Sequence, residues 1–198
     1  MHTIILINGL GGEIKPLTLA TNSWKKYGFT ILVFHVDWKD KKVSFENILN
    51  NLVKKIDTLS SEGNTISIIG CSAGASLALN AFLMRTNKIK HAVNICGPVR
   101  IDNHTGLKLR SVSWWKNISP LLIDSLNQLE SRLSQSLPNE KSRIMTIRAG
   151  FGDELVPPGT VTVPGAENIK IPTIEHTLSI YLALILFKQK IIKFLNAT

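Results

Sequence analysis

Residues 70–74 read Gly70-Cys71-Ser72-Ala73-Gly74, a serine with glycine two positions to either side. The run before it, Thr65 to Ile69, is apolar and β-branched and reads as a strand. The run after it, opening Ala73-Gly74-Ala75-Ser76-Leu77-Ala78, reads as a helix to Met84. A serine on a tight strand-to-helix turn is placed to act as a nucleophile. The turn lifts its Oγ clear of the sheet, and the two glycines omit Cβ atoms that would collide across it. The helix that follows points its positive end at a developing oxyanion. The simpler alternative is a serine that only caps the helix. Five residues of this pattern arise often by chance, so the weight rests on the strand–turn–helix setting and on partners elsewhere in the chain.

Nucleophilic serine chemistry needs a base and an acid that orients it. Asp153 lies in Ala149-Gly150-Phe151-Gly152-Asp153-Glu154-Leu155-Val156-Pro157, just past an expected strand at Ile144–Ile147. Catalytic groups of open parallel sheets gather beyond the carboxyl ends of the strands. Glu154 is the rival for the acid's role, and a plain turn-capping Asp is the simpler reading. His176 follows the last expected strand, Ile169–Ile171, at a strand-to-helix loop, and imidazole titrates close to operating pH. The order along the chain is therefore nucleophile, acid, base. The other histidines fit worse: His2 precedes the first strand, His35 lies within the second, His91 starts the fourth, and His104 falls in a long connection. An oxyanion also needs two backbone N–H donors. Ala73, directly after the serine, supplies one, and the glycine-rich turn Asn8-Gly9-Leu10-Gly11-Gly12 offers the other at Leu10. No phosphate-loop or dinucleotide glycine pattern occurs there, which weakens a nucleotide reading.

The elements that must position these groups alternate from end to end. Strands are expected at Thr3–Ile7, Thr30–Val36, Thr65–Ile69, Ala92–Ile95, Ile144–Ile147 and Ile169–Ile171. Helices are expected at Leu17–Tyr27 (stopped by Gly28), Ser44–Leu59, Ala73–Met84, Pro120–Leu137 and Thr177–Leu195. Ser44 with Asn47 marks a cap, and Phe45, Ile48, Leu49, Leu52, Val53 and Ile56 keep one helical face apolar. Alternation of this kind predicts an α/β chain, a three-layer α/β/α sandwich around a mostly parallel six-stranded sheet.

The four segments at residues 7–12, 70–74, 150–157 and 165–176 together resemble the α/β-hydrolase superfamily, in its minimal, lid-poor lipase and esterase branch. That resemblance implies a serine hydrolase that cleaves a carboxylic ester through an acyl-serine intermediate, with Ser72, Asp153 and His176 as the triad. The oxyanion hole would be formed by the amides of Leu10 and Ala73. A thioesterase or other acyl hydrolase with the same triad is an alternative, as is a non-catalytic binding protein on the same fold. Two departures stand out. Many relatives have His-Gly where this chain has Asn8-Gly9, and the two strands that open larger relatives are not found ahead of the first strand. The implied strand order is 2-1-3-4-5-6.

Composition limits the remaining classes. The 198 residues suit a single domain, 1–198. Apolar residues are 44% and charged residues 19%, with a formal net charge of +9. The lysines are scattered and no basic block interleaves with aromatics, so no nucleic-acid partner is expected. Cys71 and Cys96 read as buried free thiols, and no metal-ligand spacing or cofactor motif is present. The longest apolar stretch, Leu178 to Phe187, is about half of a membrane span, so no stable membrane insertion is expected, and the first residues lack a signal-peptide pattern. A cytoplasmic protein acting on a small-molecule ester or acyl substrate is the expectation. Residues 100–118, with Trp114 and Trp115, are expected to form a short flap over the site rather than a lid.

Overall fold

The computed structural model describes residues 1–11, 14–101 and 119–197. Six parallel strands form one sheet: β1 (His2–Ile7), β2 (Phe29–Phe34), β3 (Thr65–Cys71), β4 (Ile89–Ile95), β5 (Ile144–Ala149) and β6 (Glu167–Ile171). They lie in the order β2-β1-β3-β4-β5-β6, the order expected from the sequence. The central strands are buried on both faces, which is why they read as continuous apolar runs rather than alternating ones. Asn94 in β4 and Thr146 in β5 depart from this pattern, and each is fully buried with a hydrogen-bond partner.

The first helix layer packs α2 (Phe45–Ser61), α3 (Ala73–Met84) and α4 (Pro120–Gln135) over one face of the sheet, and the short α5 (Pro138–Lys141) follows α4 before β5. The second layer covers the other face with α1 (Ile14–Thr21), a 3-10 helix (Asn22–Tyr27), α6 (His176–Ile185) and α7 (Lys188–Asn196). α3 is buried almost throughout, as its small residues require so close to the sheet. Ser44 caps α2 by accepting from the Asn47 N–H at 3.2 Å. Ser119 caps α4 in the same way, and its hydroxyl also donates to the Trp38 carbonyl.

Several expected boundaries move. The helix expected from Leu17 to Tyr27 begins three residues earlier and changes to a 3-10 helix at Asn22. Pro16 is tolerated because first-turn N–H groups have no intrahelical acceptor. The closing helix, expected to run unbroken from Thr177 to Leu195, is two helices. At the break the Leu186 and Phe187 N–H groups both donate to the Leu182 carbonyl. The apolar pattern continues across the break because both halves face the same core, so periodicity carries no sign of it. β2 ends at Phe34, which places His35 after the strand rather than within it, and His2 lies inside β1 rather than ahead of it. Among the described residues no helix is long and apolar enough to cross a membrane. Of the expected flap at 100–118, residues 102–118, including His104, Trp114 and Trp115, lie outside the described residues, as does Gly12 of the glycine-rich turn.

Candidate active site

The turn between β3 and α3 holds Ser72 at φ 52°, ψ −124°, a left-handed conformation that side chains rarely adopt. The surroundings impose it. A Cβ on Gly70 would lie 2.3 Å from the Gly74 carbonyl oxygen, and one on Gly74 would lie 2.6 Å from the Asn8 carbonyl oxygen. Both distances are shorter than real contacts, so only glycine lets the strand, the turn and the loop after β1 come this close. From the β4 side, Gly97 brings its backbone against Ser72 and Ala75: a Cβ there would meet the Ser72 carbonyl oxygen at 2.3 Å. The Ser72 N–H donates to the Ile95 carbonyl at 2.9 Å. Local strain of this kind persists because packing over-determines it.

His176 opens α6 and is buried, with its ring between two side chains. Its Nε2 lies 2.8 Å from Ser72 Oγ, and its Nδ1 lies 2.8 Å from Asp153 Oδ2. Both side chains of the His176–Asp153 pair are only 4% exposed, so their attraction is weakly screened. The second Asp153 oxygen, Oδ1, accepts the N–H groups of Leu155 and Val156 at 2.9 and 2.8 Å. The carboxylate is thus fixed by its own loop and directed at the ring. Glu154 does something different: its Oε2 accepts the backbone N–H of His176 at 3.0 Å.

Glu175, just before His176, has φ 72°. Burial acts to raise its pKa, yet the Leu178 and Thr177 N–H groups that its carboxylate accepts hold it below the ordinary value. Its carbonyl accepts both the N–H and the hydroxyl of Ser179, whose Oγ also meets that of Thr173.

The loop after β1 crosses Ser72. A Cβ on Gly9 would lie 2.8 Å from Ser72 Cβ and 3.1 Å from the Cys71 carbonyl oxygen. Leu10, the next residue, is half-buried at this crossing, and Ala73 begins α3, where its N–H has no carbonyl one turn back to meet. Asn8 anchors the loop. Its Oδ1 accepts the Val36 N–H at 2.7 Å, and its Nδ2 donates to the Val36 and Gly9 carbonyls at 2.9 Å each. The Asn8 carbonyl in turn accepts the Trp38 indole N–H at 3.0 Å. Sequence reasoning noted Asn8 only as a departure. Its role as a buried bridge 28 residues along the chain leaves no local spacing signal.

Asn94 was not singled out either. Its side chain clamps the turn after β4, accepting the Gly97 N–H and donating to the Gly97 carbonyl, both at 2.8 Å. A polar residue inside an otherwise apolar strand was the available clue. Cys71 and Cys96 are buried free thiols at neighbouring strand ends. Burial pushes Cys71 up to about 12 and raises Cys96 further, so neither is a thiolate nucleophile.

No family model matches the chain, and no curated protein matches it. Solved structures do. The monoacylglycerol lipase of Paleococcus ferrophilus superposes with a TM-score of 0.66 at 15% identity, over 98% of this chain and 93% of that one. The enol-lactonase of Burkholderia xenovorans gives 0.65 at 14% identity, over 99% and 92%. Est1E from Butyrivibrio proteoclasticus gives 0.63 at 16% identity, over 98% and 86%. The chain has the α/β-hydrolase fold. At these identities the likeness concerns the fold. In this chain the turn after β3, the loop after β5 and the start of α6, which follows β6, meet at the carboxyl end of the sheet, where open parallel sheets place their ligands.

Proposed function

We propose that this chain is a serine hydrolase that cleaves a carboxylic ester through an acyl-serine intermediate. The observation that carries the reading is the continuous line of side chains from Ser72 Oγ through the His176 ring to Asp153, ending on a serine at positive φ. In this reading His176 Nε2 takes the proton of Ser72 as its Oγ attacks the ester carbonyl. The amides of Leu10 and Ala73 receive the oxyanion, and the protonated imidazole then gives its proton to the departing alcohol. A water, deprotonated by His176, attacks the acyl-serine and releases the acid. Asp153 holds the ring with Nδ1–H directed at itself and stabilises the imidazolium without taking its proton. The substrate is a small ester or acyl compound, and two unpaired buried thiols suit the reducing cytoplasm.

The test is labelling by a fluorophosphonate probe together with hydrolysis of a soluble p-nitrophenyl ester. Wild-type protein is expected to react at Ser72 and to turn over. Ser72→Ala should do neither, and His176→Ala should lower turnover by at least about 10³-fold, since nucleophile and base act as a unit. Folded wild-type protein that stays unlabelled while a control hydrolase reacts would overturn the assignment in favour of a binding protein.

A further inference from the structure

The two helix layers present different chemistry to solvent. In the second layer, the helices α1, α6, α7 and the 3-10 helix carry Lys15, Lys25, Lys26, Lys188, Lys190 and Lys193, with no arginine, aspartate or glutamate among them. All of these lysines are exposed except Lys188, which is half-buried and donates to Ser23 Oγ. The described acids at this layer's edge, Glu154 and Glu175, are both engaged with backbone amides of α6. In the first layer and the short α5 that follows it, by contrast, Glu46, Asp57, Asp124, Glu130 and Glu140 are set against Lys54, Lys55, Arg132 and Lys141, and the charges nearly cancel.

The basic layer also carries most of the exposed aliphatic side chains. Leu19 on α1 is 75% exposed and Leu186, at the end of α6, is 65% exposed. Along α6 the outer side chains Leu178, Leu182, Ile185 and Leu186 follow positions i, i+4, i+7 and i+8, one stripe of the helix. α1 packs directly against α6. The stripe starts two residues after His176. Beside that end stand Phe151 and Ile174, 74% and 61% exposed, joined through the Phe151 N–H on the Thr173 carbonyl. Single exposed apolar residues are ordinary, but a run of them leading to the rim of a site marks an interaction surface.

We propose that this face, from Leu19 and the α6 stripe to Phe151 and Ile174, is a peripheral docking surface for an anionic lipid bilayer. Aliphatic side chains would enter the headgroup boundary while the lysines around them meet anionic headgroups, the arrangement of helices that lie on a membrane without crossing it. Nucleic acid fits less well. The cations are lysines without the forked geometry of arginine, and aliphatic rather than stacking aromatic side chains separate them. Docking stands on this surface alone. Its consequence, that Ser72 is offered esters held in the bilayer, rests on the ester-hydrolase reading.

The test is flotation of the full chain with phosphatidylcholine vesicles, with and without phosphatidylglycerol. The chain should float with the anionic vesicles at low salt, stay behind with the zwitterionic ones, and be released as salt rises. The double variant Lys25→Glu/Lys26→Glu should weaken partitioning by more than about tenfold. Leu19→Gln/Leu186→Gln should weaken it at unchanged charge. Both should keep wild-type hydrolysis of a soluble ester, which also shows that they fold. Ser72→Ala should float as wild type, so a failed hydrolase assignment and a failed docking surface give different results. Absent flotation, or flotation indifferent to lipid charge, would overturn the proposal. So would retention on duplex DNA lost only in the lysine variant, or a dimer in light scattering that the leucine variant dissolves.

Discussion

Glu154 Oε2 accepts the backbone N–H of His176 at 3.0 Å, whereas its neighbour Asp153 takes the ring of the same residue at 2.8 Å. Two adjacent carboxylates thus hold one histidine at two different points. Asp153→Asn keeps the shape of the side chain but can present an NH₂ to Nδ1 and so favour the wrong tautomer. It should lower kcat on a soluble ester by about 10³- to 10⁴-fold, the scale known for the equivalent swap in a serine protease triad. Glu154→Gln retains an oxygen that accepts from the His176 N–H, so it should cost less than about tenfold in kcat. Parallel kinetics on the two variants decide the matter, and a larger loss in Glu154→Gln would transfer the acid's role to Glu154.

The loop after β1 gives a second comparison, between two glycines of one turn. A methyl on Gly9 would lie 2.8 Å from Ser72 Cβ, whereas one on Gly11 meets nothing within 4 Å among the described residues. Ser72 sits on a strained turn that cannot yield cheaply, so the loop must retreat and carry the Leu10 amide with it. Gly9→Ala should lower kcat by about 10²-fold or more, the usual cost of losing one oxyanion donor, with a modest fall in Tm. Gly11→Ala should match wild type in both. Equal kcat in the two variants would show that the loop does not serve the oxyanion.

The site's outline was legible in the sequence because its parts sit at element junctions that local patterns mark. Ser72 is flagged by Gly70 and Gly74, and His176 and Asp153 by the ends of apolar runs. Alternation of strand and helix patterns pointed to a parallel sheet, the α/β-hydrolase resemblance implied its strand order, and the sheet has that order. What escaped lies in long-range polar pairing. Asn8 and Val36 are 28 residues apart, and Glu154 reaches a backbone group 22 residues on. No spacing rule announces such pairs, because side chain and partner meet only once the sheet is assembled. The break at Leu186 escaped for the opposite reason. Its apolar pattern is uninterrupted, and neither glycine nor proline marks the bend.

His91 supplies a prediction about pH. It is buried on β4 against the Phe194 ring, and its Nδ1 has no hydrogen-bond partner among the described residues. Burial first, then the positive charge of Lys90, depresses its pKa from 6.5 to about 4, while a backbone hydrogen bond to Leu195 opposes the shift. His2 and Arg143 add small repulsions. Below 6.5 the unfolded chain takes up a proton that the folded chain refuses, so stability falls as pH drops from 6.5 toward 4. His2, lowered for the same main reason, acts in the same direction. The loss through this window should be roughly 1–3 kcal/mol. Melting curves across this range should show a steeper fall for wild type than for His91→Gln. Parallel slopes would show that His91 does not titrate between the folded and unfolded states.

Asn8 carries the last prediction, because it couples the stability of the fold to the position of the loop that passes over Ser72. Its side chain satisfies both the N–H and the carbonyl of Val36, at a point where β2 has ended and no ladder partner remains. Asn8 is 1% exposed, and Val36 is buried beside it. Asn8→Ala strands two buried backbone groups, at about 1–3 kcal/mol each, so Tm should fall by several degrees. The same change frees the loop that passes over Ser72, so kcat should fall while the fluorophosphonate still labels the protein slowly. Asn8→Asp separates the two effects. Its carboxylate can still accept the Val36 N–H but cannot donate to the Val36 and Gly9 carbonyls, so it should lie between wild type and alanine in Tm. A kcat that stays at the wild-type level in both variants, with Tm reduced, would confine Asn8 to a structural role.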